Sequence, residues 1–251
     1  MIDLKQKVNN IKWLNMMGVK YYCTDTLHHD TPTENKTLIS SLKDNHKLSG
    51  IDLARQLAGA AKTLQELRDY VEQFSGCELK KFATHTVFAQ GVSTAPVMLI
   101  GEAPGASEDK TGIPFCGESG KLLDNMLKTI NLSREQNVYI TNTVFWRPPA
   151  NRQPTQEEID ICRPFVEKHI ALINPKLIIM VGSTAATGLL GKHAGISRIR
   201  QEYYAYSNQY LTTSISTTAI FHPAYLLRQP IQKKTSWYDL LKIQQFITET
   251  V

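Results

Sequence analysis

Several things are scarce in this sequence, and each scarcity removes a class of protein. Among its 251 residues no apolar run approaches the roughly 20 that a membrane-spanning helix needs. The opening MIDLKQKVNN has no secretory hydrophobic core, so a cytoplasmic protein is expected. There is no low-complexity tract. Cysteine is sparse: Cys23, Cys77, Cys116 and Cys162 are dispersed, with no C-x-x-C pair, and read as reduced thiols rather than a disulfide framework. Neither G-x-G-x-x-G nor G-x-x-x-x-G-K-[ST] occurs, so the two commonest phosphate-binding loops are missing. Charge of one sign is only mildly in excess. The net charge of +5 favours an anionic partner weakly, and part of it is local: Gly191 to Lys234 holds six Lys or Arg and a single acid, Glu202.

What is present is the composition of an ordinary folded protein, 42% hydrophobic and 20% charged, long enough for one α/β domain with an appendage. Residues 1–60 read as an N-terminal helix, with Ile11, Leu14 and Val19 at helical spacing, followed by a polar linker. Residues 61–251 read as the main domain. There Leu64, Leu67, Val71 and Phe74 share a helical face. From Val97 onward four short apolar runs, VMLIG, VYITN, KLIIMVG and TTAIFHP, alternate with helical patterns. One of those helices opens on a capping-box pattern, Thr155 with Glu158, and Pro164 is expected to kink or break it. Apolar strands separated by helices predict a three-layer α/β/α fold around a central, mostly parallel four-stranded sheet.

In such sheets the working residues gather at the C-terminal ends of the strands. Those ends are Gly101–Gly105, Asn142, Gly182–Ser183 and His222–Pro223. Taken singly, each has an ordinary structural explanation: Asn142 as a turn residue, His222 as an extended residue before proline, Phe115 as core. The loop after the first strand, GEAPGASEDKTGIPFCGESG, carries four carboxylates. Glu108 and Asp109 would repel a phosphate and suit the start of a helix instead, whereas Glu102 directly follows the strand. Placed together at one crevice, Glu102, Asn142, His222 and Phe115 suit a planar, hydrogen-bonding ring. Phe stacks, the amide both donates and accepts, and the imidazole donates to a developing oxyanion. A nucleobase has those properties.

The segments GEAPGASED, GIPFCGESGKLLDNML, YITNTVFWRPPANR and HPAYLLRQP closely resemble the family 4 uracil-DNA glycosylases, in order and spacing, over about Gly76 to Leu241. The resemblance implies a uracil-DNA glycosylase-like fold and hydrolysis of uracil from DNA by base flipping. It implies Glu102 as the group that positions or activates water and His222 as the group that stabilises the leaving base. Ala103, Phe115 and Asn142 become uracil-binding, with Phe115 stacking and Asn142 reading the base edge. Ser183, Leu226, Leu227 and Arg228 become DNA-binding, with the Ala224–Arg228 stretch filling the gap left by the base. The basic Gly191–Lys234 segment would meet phosphates. The expected partner is uracil-containing DNA, single- or double-stranded, bound by a monomer.

Family 4 members typically hold an iron–sulfur cluster on four cysteines. The matching positions here are Phe74, Cys77, Trp146 and Cys162, and neither Phe nor Trp ligates iron. No cofactor is therefore expected. Two other functions stay open from the sequence. One is a glycosylase of broader or shifted deaminated-base range, because Gly105 stands where a bulkier residue would guard against a thymine methyl. The other is a catalytically weak DNA-binding repair protein whose residues 1–60 recruit a partner. Glu102, Asn142 and His222 together favour chemistry.

Overall fold

The computed structural model describes residues 49–191 and 195–250. The helix expected in residues 2–22, the linker that follows and Cys23 lie outside the described residues. Helix α1 (Gly50–Ala60) starts at Ser49, whose side chain accepts from the Asp52 amide. It lies before the expected boundary at residue 60, and its Ala54, Leu57 and Ala58 belong to the core. Helix α2 (Leu64–Gln73) begins with a reciprocal cap, Glu66 N to Thr63 Oγ1 at 3.1 Å and Thr63 N to Glu66 Oε2 at 3.1 Å. Its Leu67, Tyr70 and Val71 face inward.

The sheet has six strands rather than the four expected. They are β1 (Gln90–Gly91), β2 (Val97–Gly101), β3 (Val138–Asn142), β4 (Leu177–Val181), β5 (Tyr204–Tyr206) and β6 (Ile215–Ile220), in spatial order β1-β3-β2-β4-β6-β5. The four expected strands form the parallel centre. The additions, β1 and β5, are antiparallel edges of two and three residues. Such short edges carry no readable period and form only because the central strands offer unpaired backbone.

Alternation along the central strands creates the three layers. Met98, Ile100, Ile178 and Met180 join one cluster with α1, α2 and the long helix α5 (Gln156–Ile173). Val97, Leu99, Leu177, Ile179 and Val181 join the other, with α4 (Glu118–Lys128) and the C-terminal helix α9 (Lys233–Thr250). Strands buried on both faces are why these runs read as continuous apolar stretches. Helix α5 opens on the expected capping box, Thr155 with Glu158. Pro164 does not break it. The helix continues through, with Cys162, Phe165, Val166 and Ile170 buried on either side of the proline, so packing offsets the missing backbone hydrogen bond.

His169, also on α5, is fully buried. Its ring stacks on Phe88 at 4.4 Å, Nε2 lies 2.8 Å from the Tyr139 hydroxyl, and Nδ1 has no partner. Burial, reinforced by the Arg68 cation, lowers its pKa to about 3. Above the ordinary histidine pKa of 6.5 this group leaves stability unaffected by pH. As pH falls below that value the unfolded chain takes up the proton first, so the folded state loses stability down to about pH 3. Urea denaturation between pH 7 and 4 should show this loss, and His169→Gln should flatten it.

Candidate active site

In the order β3-β2-β4-β6 the chain leaves β2 for β3 on one side, whereas it leaves β4 for β6 on the other. The crevice between the ends of β2 and β4 is therefore a topological switch point. A cavity of about 780 Å³ opens there. Glu102, Asn142, Ser183 and His222, each at or just past the end of one of the four central strands, all line it.

Glu102 is held from two neighbouring elements. Thr184, in helix α6 (Ser183–Leu190), donates its hydroxyl to Glu102 Oε2 at 2.6 Å across the switch point. The Thr143 hydroxyl donates to the Glu102 carbonyl at 2.6 Å. Ala103 lines the cavity beside it. Asn142 is 1% exposed, and its Oδ1 has no hydrogen-bond partner. Gly101, paired with Asn142 in register, permits the convergence. A Cβ there would lie 2.6 Å from the Phe115 ring and would also collide with Asn142 Oδ1. The Phe115 ring and the amide thus approach each other over a bare backbone.

Past the one-turn helix α7 (Ile196–Ile199), His222 caps helix α8 (Pro223–Arg228), with Nδ1 accepting from the Ala224 amide at 3.1 Å. An accepting Nδ1 puts the proton of the neutral ring on Nε2. Burial, then the Arg228 cation, lower its pKa to about 4, against an opposing pull from Glu108. The imidazole is therefore neutral near pH 7, with an N–H to donate. Its ring lies 5.7 Å from that of Phe115, tilted by 33°.

Helix α8 sorts the expected DNA-contact residues by face. Leu226, one of the residues expected to touch DNA, is fully buried in the core. Positions 223 and 226 share the inward face of the helix, whereas Leu227, 44% exposed, and Arg228 point outward. Arg228 also lines the cavity, and Ser183 is exposed at its rim. Of the basic Gly191–Lys234 segment, Arg200 is engaged within the protein rather than free for phosphates. It pairs with Asp239 at 2.6 Å and lies over the Phe221 ring.

Two acids of the loop after β2, Glu108 and Asp109, have structural work. Glu108 of helix α3 (Ala106–Thr111) accepts from the amides of Gly105, Cys116 and Gly117, each at 3.0 Å, and its carboxylate fills the space beside Gly105. Asp109 turns away from the cavity and accepts from Thr84 and His85. Thr184 and the full reach of Glu108 escaped the sequence reading. A threonine inside a small-residue helix carries no motif, and only the fold brings it to Glu102, 82 positions away.

A family model described as the uracil DNA glycosylase superfamily matches residues 88–242. The chain belongs to this superfamily. It is 36% identical over 188 residues to the type-4 uracil-DNA glycosylase of Sulfurisphaera tokodaii, covering 73% of this chain and 84% of that protein. To the Thermotoga maritima protein of the same name it is 36% identical over 187 residues, covering 73% and 94%. To that of Archaeoglobus fulgidus the figure is 35%, covering 72% and 92%.

The four positions that the resemblance marks as cluster ligands, Phe74, Cys77, Trp146 and Cys162, lie in one hydrophobic cluster, and their side chains do not fit a four-cysteine cluster. Phe74 and Trp146 stack with centroids 6.3 Å apart, and Phe165 meets Phe74 edge-on at 5.1 Å. The Trp146 indole donates to the Thr86 hydroxyl at 3.0 Å. Cys77 and Cys162 are buried free thiols; the neighbouring Cys77 thiol, then burial, raises Cys162 well above the usual thiol range. Two thiols among aromatic rings cannot supply the four thiolates such a cluster needs.

The geometry of His222 is directly measurable. A ¹⁵N-edited NMR titration should place its pKa near 4 with the neutral proton on Nε2. A value near 6.5, or a proton on Nδ1, would contradict the arrangement.

Proposed function

We propose that this protein is a DNA repair glycosylase that hydrolyses the bond between uracil and deoxyribose in DNA and leaves an abasic site. The observation that carries the reading is the buried Asn142 Oδ1, without a hydrogen-bond partner and close to the Phe115 ring, beside a neutral His222, in a chain of the uracil-DNA glycosylase superfamily. Among the described residues no three His, Cys, Asp or Glu side chains converge as a metal-ligand set, and the chemistry proposed needs none.

A uracil flipped from the stack offers an N3–H donor to Asn142 Oδ1, satisfying an atom that the protein leaves alone. Phe115 stacks on the base. As the N1–C1′ bond breaks, negative charge collects on the base and positive charge on the sugar. The Nε2–H of His222 donates to O2 of the departing uracil anion. Glu102, anchored by Thr184, orients the water that attacks C1′ and favours the positive sugar. The water's oxygen bonds C1′, one of its protons is released, and the uracil anion is protonated.

Extrusion of a base costs a few kcal/mol. Leu227, exposed on the outward face of α8, is proposed to fill the gap, and Arg228 and Ser183, which line the cavity, to meet the strand. Phosphate contacts would give binding without sequence preference. The protein is proposed to act as a cytoplasmic monomer. The free state of the described cysteines is in keeping with a reducing compartment. No helix among the described residues is long and apolar enough to cross a membrane.

Asn142→Ala should lower kcat/KM on uracil-containing DNA by about a hundredfold or more while DNA affinity persists. Intact single- and double-stranded uracil substrates after incubation with the unaltered protein would overturn the reading. A panel including hypoxanthine, xanthine and thymine mismatches fixes the base range. The protein is also proposed to work without an iron–sulfur cluster, its place taken by Phe74 and Trp146. Iron analysis after anaerobic purification should find no stoichiometric iron, and about four irons per chain would overturn this.

A further inference from the structure

Phe115 is held in an unusual way. It is a bulky residue in the left-handed region, with φ +51°, which non-glycine residues seldom occupy. Something must fix that backbone, and two elements do. On one side helix α4 passes so close that a Cβ at Gly120 would overlap the Phe115 carbonyl. On the other stands Arg134, 9% exposed, from the turn before β3.

Every N–H of the Arg134 guanidinium is engaged. Nη2 donates to the Phe115 carbonyl at 3.0 Å, and Nη1 to the Pro114 carbonyl at 3.0 Å. Nε and Nη2 donate to Asp124 Oδ1 at 3.0 and 2.7 Å, and Nη1 also reaches the Gln90 side chain. A rigid, planar fork with fixed donors sets two consecutive carbonyls in one orientation, which a lysine's single ammonium does not reproduce. Asp124 in turn fixes the fork to α4, the same helix that abuts Phe115.

We infer that Arg134 is a positioning residue for base recognition: through the Pro114 and Phe115 carbonyls it holds the Phe115 ring at the angle at which a base stacks. This rests on the proposed reading of the cavity as a uracil site. Stacking is present both before and at bond breakage, so its loss weakens binding more than it slows chemistry.

The variants are Arg134→Met, Arg134→Lys and Asp124→Asn. The first readout needs no substrate. The His222 Hε1 resonance senses the Phe115 ring current from 5.7 Å away and should shift in all three variants. In the second, free uracil as product inhibitor should bind Arg134→Met and Arg134→Lys roughly tenfold more weakly or worse. KM for uracil-containing DNA should rise more than kcat falls. In a Phe115→Leu background the same changes should add nothing. An unmoved His222 resonance with unaltered uracil inhibition would overturn the inference, as would an equal loss in the Phe115→Leu background. If Arg134→Met fails to fold, Asp124→Asn, at a half-exposed side chain, carries the same comparisons. If the unaltered protein neither excises nor binds uracil, the proposed function fails while the His222 resonance still decides whether Arg134 positions Phe115.

Discussion

Everything at the active site depends on the parallel register of β2 against β3 and β4. Gly101 lies opposite Asn142, and Ile100 opposite Met180. A slip of one residue in β3 would swing Asn142 to the other face of the sheet and put a neighbouring threonine, Thr141 or Thr143, in its place. The register is secured by apolar side chains on both faces, because each one-residue shift would exchange two complete hydrophobic sets. The site is therefore a consequence of core packing. Glu102, Asn142, Ser183 and His222 share one end of the sheet because the strands before them run parallel and pack in register.

Within that frame the site is built from fixed, mostly uncharged donors and anchored carboxylates. His222 is neutral because burial and Arg228 oppose its protonation, and the Ala224 amide selects which nitrogen keeps the proton. Glu102 and Glu108 have opposite assignments despite lying in one loop. Both line the cavity, but Glu102 is under the hold of Thr184, whereas Glu108 gathers the backbone amides of Gly105, Cys116 and Gly117. Groups held this firmly do not need to reorganise when charge develops in the reaction, which is where preorganised sites gain most of their effect.

The aromatic group of Phe74, Trp146 and Phe165 is where this chain departs most from what its family resemblance implies. It joins the end of α2, the segment after β3 and the middle of α5. Each of these fully buried rings contributes about 1.5–3 kcal/mol by leaving water. Hydrophobic packing thus ties three segments of the chain together. Cys77 and Cys162, both free thiols, are buried in the same hydrophobic cluster.

Local pattern determined much of this protein. The four apolar runs are the four parallel strands, Thr155 with Glu158 is the cap of α5, and the strand-end residues line one cavity. These were legible because periodicity, caps and the position of site residues in α/β sheets follow from short stretches of chain. The tertiary structure decided the rest. It added the edges β1 and β5, carried α5 past Pro164, turned Leu226 inward and Leu227 outward, and brought Thr184 to Glu102 and Arg134 to Phe115. Each of these outcomes turns on a partner distant in sequence, and the identity of that partner is set by packing of the whole chain rather than by any segment's own pattern.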